Sequence, residues 1–295
     1  LWEVPRVTGL ALVRAPDGRL GEGCYRAVRP VDPVVARRQH EELVGVLDEA
    51  GWKVEVVRPE NGLPDAVFVG DMVIVRGGLA ILARPGDARR EAELAGVEEA
   101  VRALGLEVVR PDPPGTLEGG DVIQTTGMTW GDTVYVGRSP ATSEDAACRF
   151  PGLASGSSRA AGIHRVVSVE VSGCRQLVAA MSVLPDGTLF GLPDRVDTSA
   201  LPGLRVAPEP SGAQVVVVGE RHVMLPSSAP RTAALLASEG YRVTAVDIGE
   251  FEAVGGCLSG LAVLVAADDR QDRDSVWDAG VSHGEIGARV VETIC

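Results

Sequence analysis

The feature that most constrains this chain is a recurring unit in which a helical or turn-rich stretch ends at a glycine and a short β run follows. LDEAGWKVEVVRP from Leu47, VRALGLEVVRPDP from Val101, AAGIHRVVSVEV from Ala160, ALPGLRVAPEP from Ala200 and LASEGYRVTAVDI from Leu236 all follow it. Gly51, Gly105, Gly162, Gly203 and Gly240 stand at the junctions, where glycine ends a helix because it takes the left-handed conformation without a Cβ clash. Hairpin-like pairs lie between the units: AVFVGDMVIVRGGLAILARPG, GDVIQTTGMTWGDTVYVGRSP, LVAAMSVLPDGTLFGLP and AQVVVVGERHVMLPS. Helices are predicted over Pro33–Ala50, Asp87–Leu104 and Pro230–Ser238. The chain therefore reads as an α/β array of hairpin, helix and strand, and self-similarity of this length signals an array or a propeller.

Composition narrows the function. A hydrophobic content of 45% over 295 residues supports a packed core. The net charge of -13 disfavours phosphate-backbone binding, so nucleic acid is not an expected partner. Lys53 is the only lysine, which nearly removes lysine as a catalyst. Cys24, Cys148, Cys174, Cys257 and Cys295 are widely spaced and odd in number, without a CxxC pair, so neither a disulfide framework nor a zinc site is indicated and a cytoplasmic setting is expected. No apolar run has the length of a membrane span, and no signal peptide is expected. No metal-ligand spacing appears, so no cofactor is implied. His40 reads as a helix residue at an interface, and His164, His222 and His283 belong to no motif.

Ala36-Arg-Arg-Gln-His-Glu-Glu42, Pro64-Asp-Ala-Val-Phe-Val-Gly-Asp71, Arg84-Pro-Gly86, Leu117-Glu-Gly-Gly-Asp-Val122, Leu184-Pro-Asp-Gly187 and Val246-Asp-Ile-Gly-Glu-Phe251 resemble, in family order, stretches of the dimethylarginine dimethylaminohydrolases of the guanidino-group-modifying superfamily. The resemblance implies a five-bladed α/β propeller of pseudo-symmetric ββαβ units over residues 1–265, with a central substrate channel. Residues 266–295 read as a tail with one short helix from His283 onward, a solvated appendage or a docking segment for a smaller partner protein.

That family uses a cysteine nucleophile, a histidine and carboxylates around a cationic group. Laid on this sequence, the histidine position falls on Gln176 and the nucleophile position on Gly260. Cys257 matches a dispensable earlier cysteine. An extended segment would turn Cys257 and position 260 to opposite faces, although a bulge at the neighbouring glycines would restore access. Asp65 and Asp71 match substrate-contacting acids, and Glu118 matches the carboxylate that partners the histidine. The family's arginine for the substrate carboxylate falls on Ala141, with Arg138 offset by three. Asp65 and Asp121 also have a structural reading, as short acids that satisfy turn amides.

The candidate catalytic residues are therefore Asp71 and Glu118, and the substrate-binding candidates are Asp65, Arg138, Arg175, Gln176 and Gly260. Without nucleophile or imidazole, these groups suit an intramolecular displacement on a small amine. The resemblance extends to non-hydrolytic relatives in actinobacterial antibiotic pathways that form aziridines, of the azinomycin and vazabitide type, with loss of sulfate. The substrate is then an amino-acid-like amine, free or on a carrier protein. Two rival readings stay open: a non-catalytic binding or scaffold subunit, and a hydrolase that uses Cys257.

Overall fold

The computed structural model of the chain describes residues 9–25, 27–59, 61–125, 132–155, 163–266 and 292–294. Among the described residues five small sheets are built, each from an antiparallel strand pair with a third strand added in parallel. The first joins the two ends of the propeller: Ala262–Ala266 runs antiparallel to Gly9–Val13, which pairs in parallel with Trp52–Val56. The second comprises Val73–Arg76, Leu79–Leu82 and Glu107–Val109, and the third Val122–Gln124, Asp132–Arg138 and Ile163–Glu170. The fourth comprises Met181–Val183, Leu189–Gly191 and Arg205–Val206, and the fifth Val216–Gly219, His222–Pro226 and Arg242–Val246. This is the five-bladed α/β propeller expected from the sequence.

A helix crosses from the middle to the outer strand in four blades: Pro33–Glu49, Leu94–Ala103, Glu144–Ser155 and Pro230–Ser238. Parallel neighbours need such a crossover, since a tight turn cannot reverse the chain twice. In the fourth blade the described crossover holds only a turn of 3₁₀-helix, Thr198–Ala200, in place of the helix-like unit read from Ala200. The junction glycines behave as their positions suggest. Gly51, Gly105, Gly203 and Gly240 have φ of 88°, 76°, 79° and 84°, left-handed values that admit glycine and strain other residues. Gly162 lies outside the described residues.

The first helix illustrates how the blades are held. Asp32 caps it by accepting from the amides of Val34 and Val35, with Pro33 at the first position where no amide is required. Ala36, Leu43 and Leu47 then face inward at helical spacing, fully buried against Trp52 and Val246. Burial of each leucine side chain contributes about 1.5–3 kcal/mol.

Short 3₁₀ turns introduce the first strand of each blade: Val69–Asp71, Gly119–Asp121, Leu177–Ala179, Pro210–Ala213 and Leu258–Leu261. The residues just before them, Phe68, Glu118, Gln176, Glu209 and Cys257, are thus equivalent positions of the repeat. The first turn packs on the second and the fifth, the second on the third and the third on the fourth, and Gln214 after the fourth accepts from the Leu258 amide of the fifth at 3.1 Å, so that the turns form a ring.

Beyond Ala266 the next described residues, Glu292–Ile294, add a fourth strand to the third sheet in parallel with Ile163–Glu170. That stretch of the expected tail is docked on a blade. The helix expected from His283 lies outside the described residues. Among the described residues no helix is long and apolar enough to cross a membrane.

Candidate active site

The ring of turns carries the polar chemistry. Asp71 closes the first turn, while Glu118 and Gln176 precede the second and third. The Gln176 amide donates from Nε2 to Asp71 Oδ1 at 3.1 Å and to Glu118 Oε2 at 2.7 Å, so that one nitrogen bridges the carboxylates of two blades. Gly120 makes room for it, because a Cβ there would lie 2.5 Å from Gln176 Cδ.

Three further residues complete the cluster. Tyr25, on the loop after the first strand, donates its hydroxyl to Asp71 Oδ2 at 2.5 Å. Arg90 donates to Asp71 Oδ2 at 3.0 Å, to Glu118 Oε2 at 3.4 Å and to Glu93 Oε2 at 2.9 Å. Arg175 donates from Nη2 to Glu118 Oε1 and Oε2 at 2.8 and 2.9 Å. The guanidinium carbons of Arg90 and Arg175 lie 5.3 and 4.6 Å from the centre of the Tyr25 ring, within cation–π range. Arg14 supports the far side by donating to the carbonyls of Ala66 and Glu93.

Burial sets the electrostatics. Glu118 is 1% exposed, and burial followed by the neighbouring Asp71 charge raises its pKa, against the opposing pull of Arg90 and Arg175. Burial lifts Glu93 to about 7 despite Arg90. The Tyr25 hydroxyl is held protonated, mainly by burial and then by Asp71. Asp121 is also pushed up to about 7 by burial, offset in part by the Ser139 and Thr142 hydroxyls and the Leu177 amide. Its Oδ1 accepts from the Leu177 amide at 2.8 Å and its Oδ2 from Ser139 Oγ at 2.6 Å, so Asp121 anchors the turn that presents Gln176.

Of the residues singled out in the sequence, Asp71, Glu118, Arg175 and Gln176 meet in one network. Asp65 is buried beside it, with Oδ2 accepting from the Cys24 amide at 2.5 Å and Oδ1 buried without a hydrogen-bond partner. Gly260 adjoins Asp71: a Cβ built on it would stand 3.7 Å from Asp71 Oδ1. Arg138 does not join them. Its guanidinium is committed to Glu144 at 3.1 Å and Glu170 at 3.8 Å on the third blade. The expectation for Cys257 also changes, because the segment after it is a 3₁₀ turn closed by Gly260 N donating to Cys257 O at 3.0 Å. Residues three apart in such a turn eclipse rather than oppose each other.

Cys257 is buried, and its thiol is pushed well above the usual range by burial and then by Asp71 and Cys174. It lines an open cavity of about 640 Å³ together with Cys174, Arg175, Arg195, Ser211 and Gln214. The hydrogen-bond and ion-pair partners of the Asp71 and Glu118 carboxylates are a phenol, an amide and guanidiniums. His40 is buried in the first helix and His222 bonds Thr244 at 2.9 Å. Among the described residues no group of three or more His, Cys, Asp or Glu side chains is arranged to hold a metal ion.

Tyr25, Arg90, Glu93 and Arg14 escaped the sequence reading. The available signal was indirect: buried carboxylates need cations beside them, and the Arg89-Arg90 pair precedes an amphipathic helix that supplies one.

Solved structures share this fold. A crystal structure of a dimethylarginine dimethylaminohydrolase as an adduct with S-methyl-L-thiocitrulline superposes with a TM-score of 0.77, covering 88% of this chain and 100% of that one at 24% identity. No protein-family model matches the chain. A Streptomyces coelicolor protein named N(G),N(G)-dimethylarginine dimethylaminohydrolase is 42% identical over 260 residues, 86% of this chain and 95% of the relative. A Pseudomonas aeruginosa protein of the same name is 28% identical over 254 residues, 84% and 96% of the two chains. The chain belongs to the dimethylarginine dimethylaminohydrolase family.

Proposed function

We propose that this chain is a non-hydrolytic member of its family that closes an aziridine ring on a small amine with loss of sulfate, as a step of antibiotic biosynthesis. The observation that supports this most is the Asp71–Gln176–Glu118 bridge at the axis, since an amide replaces the proton-carrying group a thiol hydrolase needs. The cluster also holds four carboxyls, Asp65, Asp71, Glu93 and Glu118, beside the guanidiniums of Arg14, Arg90 and Arg175, and carboxyl oxygens are the acceptors an incoming ammonium needs.

In this reading Asp65 and Asp71 attract the ammonium, and Glu118, whose pKa burial raises, takes its proton. The freed nitrogen lone pair attacks the adjacent carbon. A C–N bond forms as the C–O bond to sulfate breaks, and sulfate leaves with the bonding electrons. Arg175 and Arg195, which line the same cavity, stabilise the departing charge, and Gly260 leaves space beside Asp71. Holding amine and carbon together in one molecule supplies the effective concentration for ring closure. The amine is amino-acid-like, free or borne on a carrier protein, and a smaller protein subunit is a further expected partner.

A second reading is favoured by the relatives' names and by the place of Cys257 on the cavity wall: a guanidino hydrolase acting through that thiol. Against it stands the thiol's burial, which suppresses the thiolate. The purified chain is offered a vicinal amino sulfate ester and, separately, N,N-dimethylarginine. The cyclase reading expects sulfate release that falls at least about 100-fold in Glu118→Gln and is unchanged in Cys257→Ser. Citrulline release abolished by Cys257→Ser would establish the hydrolase instead. Turnover of neither, with a copurifying partner, would mark a scaffold subunit.

A further inference from the structure

The Arg175 side chain is held as a bound ligand would be. One of its terminal nitrogens donates to both oxygens of Glu118 at 2.8 and 2.9 Å, and its guanidinium carbon lies 4.6 Å from the centre of the Tyr25 ring. A carboxylate in the plane and an aromatic face against it form a cage for a planar cation. The fit is incomplete, because Arg175 Nε is buried without a hydrogen-bond partner. Its side chain is 29% exposed while that of Glu118 is 1% exposed, so the cation stands between a sealed carboxylate and the cavity of about 640 Å³. Arg175 also belongs to a bend rather than to a strand or helix. Gly173 there has φ of 67° and nothing within 4 Å of where its Cβ would be, and Gly173, Cys174 and Arg175 all line the cavity wall.

We propose that Arg175 is an internal occupant of a guanidinium-binding cage made by Glu118 and Tyr25, and that it is the residue that shuts free guanidino compounds out of this site. Exchange of one guanidinium for another leaves the charge beside Glu118 the same with either occupant. The inference concerns binding alone and stands independently of the reaction at Asp71 and Glu118.

The test is to empty the cage. Arg175→Ala is titrated with methylguanidine, and binding is read by calorimetry and thermal melting. The variant is expected to bind at millimolar concentrations or below, with a Tm rise of roughly 3 °C at ten times the Kd, whereas the intact chain shows no shift. Methylammonium, of equal charge but without a planar face, is expected to bind at least about tenfold more weakly. Adding Glu118→Gln or Tyr25→Leu to the variant removes the methylguanidine response. An equal response from both proteins, or none from a folded Arg175→Ala chain, overturns the proposal. Should the variant be insoluble, expression and lysis are repeated with methylguanidine present: recovery of folded protein supports the cage, and continued loss overturns it.

Discussion

Glu118 and Glu209 occupy the same position of the repeat, the last extended residue before a 3₁₀ turn, yet they do different work. Glu118 faces guanidiniums and the Gln176 amide, with a carboxyl that burial and Asp71 raise. Glu209 turns to the helix Pro230–Ser238 and accepts from the amides of Arg231 and Thr232 at 2.5 and 2.9 Å and from the Thr232 hydroxyl at 2.6 Å. Burial acts on it as well, but the Thr232 hydroxyl and the two amides outweigh it and lower its pKa. Equivalent backbone places a carboxylate at the same height of the ring. The neighbouring element then decides whether it becomes a site or a cap. The first two turns end on Asp71 and Asp121, while the fifth offers Ser259, Gly260 and Leu261.

The contrast breaks most strongly at Arg90, which is fully buried between Asp71, Glu93 and Glu118. Arg90→Met is expected to destabilise the fold by about 3–5 kcal/mol, because it strands buried carboxylates without their cation. Urea unfolding at neutral pH measures this, and a loss below about 1 kcal/mol would mean that the acids are already protonated.

Next in size is a pH effect. Asp121 has a folded pKa near 7 against about 4 when unfolded, so the native state holds more protons between those values. Its share of stability is fully present below the unfolded pKa and is lost as pH rises toward 7, at up to about 1.4 kcal/mol per pH unit. Asp121→Asn keeps an acceptor for the Leu177 amide and removes the titration. Denaturation at several pH values should give a flatter profile for the variant, and an unchanged slope would assign the protons elsewhere.

The smallest effect separates the two glutamates directly. Glu209→Ala should cost about 1 kcal/mol through the uncapped amides of the fifth-blade helix, read as a lower urea midpoint, with substrate turnover intact. A loss of turnover comparable to that of Glu118→Gln would show that Glu209 also serves the site.

The elements of the fold were legible where the physics is local. Junction glycines, the Asp32-Pro33 helix start and the alternating hairpins each announce themselves within a few residues. Asp71, Glu118 and Gln176 were reachable through the family resemblance, carried by short motifs such as Pro64–Asp71 and Leu117–Val122. Arg138 was misread: proximity along the chain could not reveal that Glu144 and Glu170 already hold it. For Cys257, the run of small residues conceals a 3₁₀ turn where a strand was expected.

Local sequence thus determined four hairpins and the glycine junctions between them, because backbone conformation and amphipathic pattern act over short spans. Ring closure, in which Ala262–Ala266 pairs with Gly9–Val13, decided what Asp71 and Glu118 touch. It brings Tyr25, Arg90 and Arg175 from three separate segments onto one carboxylate pair. The strength of a buried charge depends on distance and solvent exclusion, and both exist only after the blades have packed.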